Sequence, residues 1–252
     1  GYRNIQVTGN DIYKSTYLHT SFHIRYRNLA TMLFANLSLA CSETKSEAYS
    51  HYEYNDSMTI MTWAKGDNHR HNTAISAMVD KTFIPIGLSL KLDATYNRGS
   101  YLVSQSGVMV NNHSHNAFGT LTTSFQKLSW MRLSAAFTAK YYWERSSIIK
   151  LDVLSSYTTN LSIYLFPTKK MELKMKFYNL TNEITDGHYH TCSLLDGDFN
   201  YKINNVWELR LLGTNLLNSK SYSITQNLGI NTFNTFLPLR GREILLSLQL
   251  RF

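Results

Sequence analysis

Apolar and polar residues alternate strictly along most of this 252-residue chain, and this alternation restricts the fold more than any other feature. Between Ile86 and Tyr96 every second residue is apolar or aromatic, and the intervening positions include Ser89, Lys91 and Asp93. Successive side chains of a β-strand point to opposite faces of the sheet, so a period of two predicts strands with one oily and one polar face. No segment of comparable length has a helical period. The sequence therefore predicts an all-β protein.

The same pattern predicts about eleven strands. Many of them exceed the roughly 9 to 11 residues that cross a bilayer, which indicates strands that project beyond a membrane into hairpins. The predicted strands are residues 14–27, 30–50, 57–82, 86–105, 110–127, 130–146, 149–166, 170–187, 190–204, 206–225 and 239–252.

The connections between these strands differ at the two ends of the predicted sheet. Short polar turns are predicted near residues 27–29, 83–85, 126–129, 167–170 and 204–205. Longer polar connections are predicted at ETKSEAYSHYEYND, SGVMVNN, ERSS, TDGHYH and TQNLGINTFNT. This asymmetry and an aromatic girdle are typical of outer-membrane barrels. The predicted girdle on the short-turn side consists of Tyr26, Phe83, Trp130, Phe166, Trp207 and Phe252.

Alternation assigns each side chain to a face of the predicted antiparallel transmembrane β-barrel. Leu90, Leu133, Ile163 and Leu248 are predicted to face lipid, whereas the lumen-facing set is Lys91, Arg132, Ser162 and Gln249. The formal net charge is +8, but Lys and Arg are scattered singly and form no basic tract, so nucleic acid is not a predicted partner. The lumen-facing basic residues are predicted to be solvated wall residues or to guide an anionic substrate. They are Lys91, Arg132, Lys140, Lys174, Lys176 and Arg210.

The number of strands bears on whether the barrel is complete. With about eleven antiparallel strands, the first and last both run towards the short turns, whereas bacterial single-chain barrels close with an even number. Residues 1–252 are therefore predicted to be part of a barrel. A merged or missed hairpin would instead give a complete 12-strand barrel.

The end of the chain resembles the C-terminus of TonB-dependent outer-membrane receptors of the Bacteroidetes type. The resemblance is carried by Asn215 to Asn218 (NLLN), by Pro238 to Arg242 (PLRGR), and by the alternating last strand. Leu246, Leu248, Leu250 and the terminal Phe252 look like an outer-membrane assembly signal. The resemblance implies that the eleven strands are the second half of a 22-stranded barrel.

The resemblance also implies a function and a set of partners. The parent protein would be a receptor in the bacterial outer membrane that imports an iron chelate, haem, cobalamin or a glycan. Its implied partners are outer-membrane lipid, the N-terminal barrel half and plug, TonB through the parent protein, and the barrel-assembly machinery. We expect neither a plug domain nor a signal peptide within this chain. The alternatives are a complete small barrel acting as a passive pore, and a secreted β-sandwich or adhesin.

Histidines supply the strongest candidate chemistry. Residues i and i+2 of a strand share a face, so each of three His-x-His pairs offers two imidazoles to a metal ion or haem iron. No Asp, Glu or Cys at fixed spacing completes such a site, so they are also explained as rim residues, and no cofactor is predicted. The absence of a GxSxG motif argues against an enzyme. The pairs are His69 with His71, His113 with His115, and His188 with His190.

Overall fold

The computed structural model describes residues 3–6, 12–55, 58–147, 153–185, 187–228 and 231–250. The all-β prediction is confirmed for these residues, whose only helical element is a single 3-10 turn at Ile84–Ile86. None of these residues lies in a helix long and apolar enough to span a membrane. The strands are β1 (Arg3–Gln6), β2 (Ser15–Asn28), β3 (Leu33–Asn55), β4 (Met58–Phe83), β5 (Leu88–Gln105), β6 (Val108–Phe125), β7 (Met131–Ser146), β8 (Leu154–Thr168), β9 (Met171–Thr185), β10 (His188–Lys202), β11 (Trp207–Thr214), β12 (Ser221–Leu228), β13 (Asn231–Pro238) and β14 (Glu243–Leu250).

Eleven strands form one antiparallel wall. The order is β2 to β11 in sequence followed by β14, and each strand pairs with the next in antiparallel fashion. Within the described residues β2 pairs only with β3 and β14 only with β11, so the wall is an open sheet and not a closed barrel. Because the count is odd, β2 and β14 run in the same direction, as the sequence predicted.

The register of the strands separates two faces. Leu90 pairs with Thr123 of β6, and Thr123 pairs with β7 on the face that carries Leu133. Leu133 in turn pairs with Ile163 of β8. The pairings continue across the sheet to Leu248 of β14. We call this side the apolar face. The opposite side, the polar face, carries Lys91, Arg132, Ser162 and Gln249, so the predicted partition into two faces is confirmed.

At the end opposite the short turns, which we call the tip end, the β3–β4 hairpin leaves the plane of the wall. β4 pairs with β5 only from His71 to Phe83. Beyond a bulge between Ser46 and Ala48, β3 replaces β4 as the neighbour of β5 and pairs with β5 in parallel. Gly66 has φ +157° there, and a Cβ at this position would lie only 2.7 Å from the Tyr49 ring. The short β1 extends the turned hairpin by pairing in parallel with β4.

A second hairpin also leaves the wall. β11 ends at Thr214 because Asn215 and Asn218 adopt positive φ angles of 48° and 58°, a conformation that Asn tolerates better than most residues. The chain then forms the separate two-stranded sheet β12–β13 before it returns as β14. The predicted single strand over residues 206–225 is therefore wrong, as is the loop predicted at TQNLGINTFNT.

Three other predicted connections need correction. ETKSEAYSHYEYND is not a loop, because β3 continues to Asn55. SGVMVNN contains a two-residue turn in which Ser106 and Gly107 both have positive φ, the geometry that matches strand twist in tight hairpins. At TDGHYH, β10 begins at His188, three residues after the end of β9. The tip end is therefore built of extended hairpins, whereas the short turns at the other end are confirmed. Residues 148–152, 251 and Phe252 lie outside the described residues.

Candidate functional site

The polar face carries all six basic residues that the sequence assigned to it. Lys91 and Arg132 share this face with Lys140, which pairs with Ser156. Lys174, Lys176 and Arg210 lie on the same side, opposite Asp198, Asp196 and Asn200 respectively. Basic and acidic side chains therefore alternate across the polar face.

Several of these cations have local partners. Arg210 donates to both carboxylate oxygens of Asp198, at 3.0 and 2.6 Å. Lys91 forms an ion pair of 2.9 Å with Asp93. Arg132 and Lys174 lie over aromatic rings, at 5.4 Å from Phe166 and 5.3 Å from Tyr164. Phe166 thus lies with Arg132 on the polar side, which corrects its place among the outward girdle aromatics.

A buried polar cluster lies on the polar face at the tip ends of β5, β6 and β7. Glu144 of β7 is only 2% exposed. Its carboxylate accepts hydrogen bonds from the hydroxyls of Tyr101 at 2.8 Å and Tyr142 at 3.0 Å. Asn112 is equally buried, and its side-chain oxygen has no hydrogen-bond partner among the described residues. Buried polar groups are costly unless satisfied, so the tip ends of β5 and β7 depend on a few specific hydrogen bonds around Glu144.

The ionisation of the two tyrosines matches their role as donors. Burial, reinforced by the nearby Glu144 charge, raises the pKa of Tyr101 and of Tyr142 well above the ordinary value of 10.0. Both hydroxyls therefore keep their protons at neutral pH. Asn68, which is fully buried, fastens the β3–β4 hairpin to β5 by accepting the Leu102 N–H at 3.3 Å.

The β12–β13 hairpin covers the part of the polar face that lies on β9 and β10. The Asn182 side chain donates to the Ser223 carbonyl at 2.5 Å. Ser219, at the base of the hairpin, donates to the Ser193 carbonyl. Cys192 lies beneath this region and is 2% exposed. The β12–β13 hairpin thus covers a patch of the polar face at the tip end.

The base of the second hairpin is held by the residues that carry the family resemblance. The Asn215 side chain donates to the carbonyls of Ser219 at 2.9 Å and Arg240 at 2.7 Å, and accepts the Ser219 N–H. The Asn218 side-chain oxygen accepts the Arg242 N–H at 3.3 Å. NLLN and PLRGR, which are far apart in sequence, therefore form one hydrogen-bonded joint where the hairpin leaves the wall.

At the β8–β10 tips, Glu183 is 6% exposed. Burial opposes its ionisation, but the Ser155 hydroxyl and the N–H groups of Gly187 and Ser155 donate to the carboxylate and hold its pKa below the ordinary value of 4.5. Glu183 therefore joins the β9–β10 turn to β8 while it is ionised.

The three histidine pairs occupy different surroundings. His113 and His115 share the apolar face, where His115 stacks on Trp143 at 4.9 Å and contacts the Tyr96 hydroxyl at 2.7 Å. For the third pair, the register between β9 and β10 shifts next to His188, which pairs with Thr185 while Tyr189 pairs with Glu183. The ring of His190 contacts that of Phe236, with centroids 5.7 Å apart.

The first pair, His69 and His71, lies in the middle of β4 and not at a strand start. His69 lies 3.9 Å from Glu43. No group of three or more His, Cys, Asp or Glu in the described part of the chain is arranged to hold a metal ion. Metal or haem capture stays a prediction.

The apolar face has an aromatic border at the tip end that the sequence reasoning missed. Tyr96, His115 and Trp143 contact one another across β5, β6 and β7. Tyr141 and Tyr157 continue this row with ring centroids 6.0 Å apart. The signal was present in the sequence, because alternation places Tyr96 and Tyr141 on the same face as Leu90 and Leu133.

Sequence reasoning also missed the buried cluster around Glu144. Extending the alternation of β7 through Tyr142 would have placed Glu144 on the polar face. Nothing in the local pattern shows that Tyr101, from β5, donates to its carboxylate.

Comparisons with known proteins found no match among family models, curated proteins or solved structures.

Proposed function

We propose that the chain forms part of the wall of an outer-membrane transport barrel of the TonB-dependent receptor class, which imports a scarce nutrient such as an iron chelate, haem, cobalamin or a glycan. One observation carries this proposal: a single-layer sheet with one continuous apolar face and one polar, charged face. Lipid would cover the apolar face, and water would solvate the polar face.

Large side chains of the apolar face are exposed. Leu92 is 51% exposed, Phe137 46% and Leu248 57%, on strands across the width of the wall. Contiguous apolar patches of this extent are rare on soluble monomers and mark interaction or membrane surfaces. Outward positions from Leu88 to Tyr96 and from Met131 to Tyr141 include no charged residue, as a lipid-facing band requires.

The height of the apolar band matches a bilayer. Trp130 precedes β7 at the short-turn end, and Tyr141 belongs to the aromatic border at the other end. Eleven residues span about 36 Å along a strand. At a strand tilt of about 40° this corresponds to roughly 28 Å along the barrel axis, close to the ~25 Å apolar band of outer-membrane barrels.

The edges of the wall define what would close it. Open edges leave N–H and C=O groups unpaired, which hydrocarbon does not tolerate. Because β2 and β14 run in the same direction, an all-antiparallel ring needs an odd number of additional strands. A second copy in the same membrane orientation would bring β14 beside β2 in parallel, so an identical partner does not meet this requirement. The N-terminal barrel half implied by the sequence resemblance does, and the plug, TonB and the barrel-assembly machinery follow as partners.

The tip-end hairpins favour a selective receptor over an open pore. The β12–β13 hairpin folds over the polar face, where the buried Asn182 side chain donates to it, and the β3–β4 hairpin is fastened to β5 by the buried Asn68. A polar passage narrowed in this way would admit a ligand only through specific contacts.

Fractionation and conductance test the proposal on the native protein. We expect the protein to remain in the outer-membrane fraction after carbonate extraction, and its purified form to show no steady conductance in planar bilayers. Recovery in the soluble fraction would contradict the membrane location. A steady ohmic conductance would contradict the receptor function and favour a passive pore.

A further inference from the structure

A basic cavity lies at the short-turn end, between the β8–β9 turn and the β10–β11 turn. Its volume is about 440 Å³, and its lining includes Lys169, Lys170, Lys202 and Trp207. A volume in this range is typical of small-molecule sites. The remaining lining residues are Asn204, Asn205, Val206 and Glu208.

The walls of the cavity are fixed by backbone bonds. The Lys202 N–H donates to the Lys170 carbonyl at 2.8 Å, which joins the two turns. The Asn204 side-chain oxygen accepts the N–H groups of Val206 and Trp207, both at 2.8 Å. The lysine stems are therefore presented from a defined frame and not from free loops.

The cavity carries a net positive charge. Three lysines and one glutamate line it, which gives a formal excess of two positive charges. Lys91 and Arg210 on the polar face have carboxylate partners. By contrast, none of the three cavity lysines forms an ion pair with any residue that the structure describes. Lysines around a concave site are common phosphate binders.

The position of the cavity favours a lipid source for such a phosphate. Trp207 lies on the apolar face opposite Leu250, and it is 39% exposed. Tryptophan and lysine together are typical of the membrane–water interface, and basic pockets at that level bind anionic headgroups.

We propose that this cavity binds a phosphate-bearing group, supplied by the headgroup of an anionic phospholipid at the short-turn surface of the membrane or by free phosphate. The lipid source rests on the proposed membrane location, whereas the phosphate chemistry does not. The bound headgroup would hold the two turns together and set the level of the wall in the bilayer.

The test uses the native protein in neutral detergent micelles, where no bilayer is required. Inorganic phosphate, dihexanoylphosphatidylglycerol and dihexanoylglycerol are titrated by calorimetry against the wild type and the triple variant Lys169→Gln/Lys170→Gln/Lys202→Gln. The matched control removes three lysines from the polar face, in the triple variant Lys140→Gln/Lys174→Gln/Lys176→Gln. Circular dichroism verifies unchanged strand content in both variants.

We expect the phosphatidylglycerol to bind saturably, the cavity variant to weaken its binding on the order of tenfold or more, and the control to change it less than twofold. Saturation by inorganic phosphate alone, with the same dependence on the variant, identifies the free anion as the ligand. Equal binding by wild type and cavity variant, or equal binding of dihexanoylglycerol, would overturn the proposal.

A second variant keeps the test informative if the triple variant misfolds. In Trp207→Phe we expect binding by calorimetry to persist while the fluorescence change that accompanies binding is lost. A fluorescence change of wild-type size in this variant would place the ligand elsewhere and overturn the assignment. Failure of these titrations leaves the membrane location intact, because that location is tested by fractionation.

Discussion

The short-turn half of the wall and its tip end are built on opposite principles. In the short-turn half, strands such as β7 and β8 form one layer, and each side chain faces outward on one side or the other. At the tip end two hairpins leave the plane of the wall, and polar groups such as Glu144, Asn112 and Asn182 are buried there. The first region depends on its surroundings to cover the apolar face, whereas the second carries its own polar core. In the receptor proposed above, the wall would be the scaffold and the tip end the place of ligand recognition.

The largest loss of stability is expected for a substitution in the buried cluster around Glu144 at the tip end. Glu144→Ala removes the acceptor of two buried phenol hydroxyls, and we expect it to lower the free energy of unfolding by about 2 to 5 kcal/mol. The matched control is Asp93→Ala, which removes a partly exposed ion pair with Lys91 and should cost about 0 to 1 kcal/mol. Denaturant titration of the native protein in micelles measures both. Equal costs would abolish the contrast between the two regions.

The next largest change in stability is expected for arginine substitutions on the apolar face of the wall. Leu133 lies on the apolar face and its neighbour Ser134 on the polar face. In lipid bilayers, Leu133→Arg should destabilise the protein by about 2 to 4 kcal/mol, whereas Ser134→Arg should cost less than about 1 kcal/mol. Equilibrium refolding into vesicles provides the measurement. A Ser134→Arg cost as large as that of Leu133→Arg would mean that the faces are assigned wrongly.

A smaller effect should appear at the joint of the second hairpin. Asn215→Ala removes the side-chain bonds to Ser219 and Arg240, so we expect the hairpin to open more often. Maleimide labelling of the buried Cys192 should then accelerate roughly tenfold, a change that corresponds to about 1.4 kcal/mol.

Two controls accompany the labelling experiment. The exposed Cys41 serves as an internal reference for reagent and detergent. Asn204→Ala removes a comparable asparagine from a short turn and should leave the Cys192 rate unchanged. An unchanged Cys192 rate in Asn215→Ala would show that the joint does not hold the hairpin closed.

The smallest effect is a pH dependence at the β9–β10 turn. Because the pKa of folded Glu183 lies below the ordinary value of 4.5, its stabilising bonds are fully present above that value and are lost as pH falls through the lowered pKa. Glu183→Gln cannot ionise at this position. We therefore expect the gap in thermal midpoint between wild type and Glu183→Gln to narrow as pH falls from about 6 to 3. A gap that stays constant across this range would exclude the ionised carboxylate as its cause.

The sequence predicted the wall well because apolar and polar side chains alternate there with a period of two. The apolar face of β5 and the six basic residues of the polar face follow from that period, and the common direction of β2 and β14 follows from the odd number of strands. The predicted short turns are likewise confirmed.

The tip end could not be predicted in the same way because its strands are polar on both sides. The part of β3 from Glu43 to Asn55 contains many charged and hydroxyl side chains, so it resembles a loop although it pairs with β4 on both sides of the bulge. Its burial comes from contacts between distant segments, such as Asn68 with Leu102. The Ser106–Gly107 turn is different, because the Ser-Gly dipeptide is a local turn signal that could have been used.

The most direct test of the central claim is a lipid-contact scan along β7. Single cysteines at positions 133 to 138, in a background with Cys41 and Cys192 replaced by serine, would carry an environment-sensitive fluorophore in bilayers containing nitroxide-labelled lipid. We predict strong quenching at Leu133, Ala135 and Phe137 and weak quenching at Ser134, Ala136 and Thr138, since the two sets lie on opposite faces of the wall. Uniform quenching along the strand, or quenching confined to the second set, would contradict a wall whose apolar face contacts lipid.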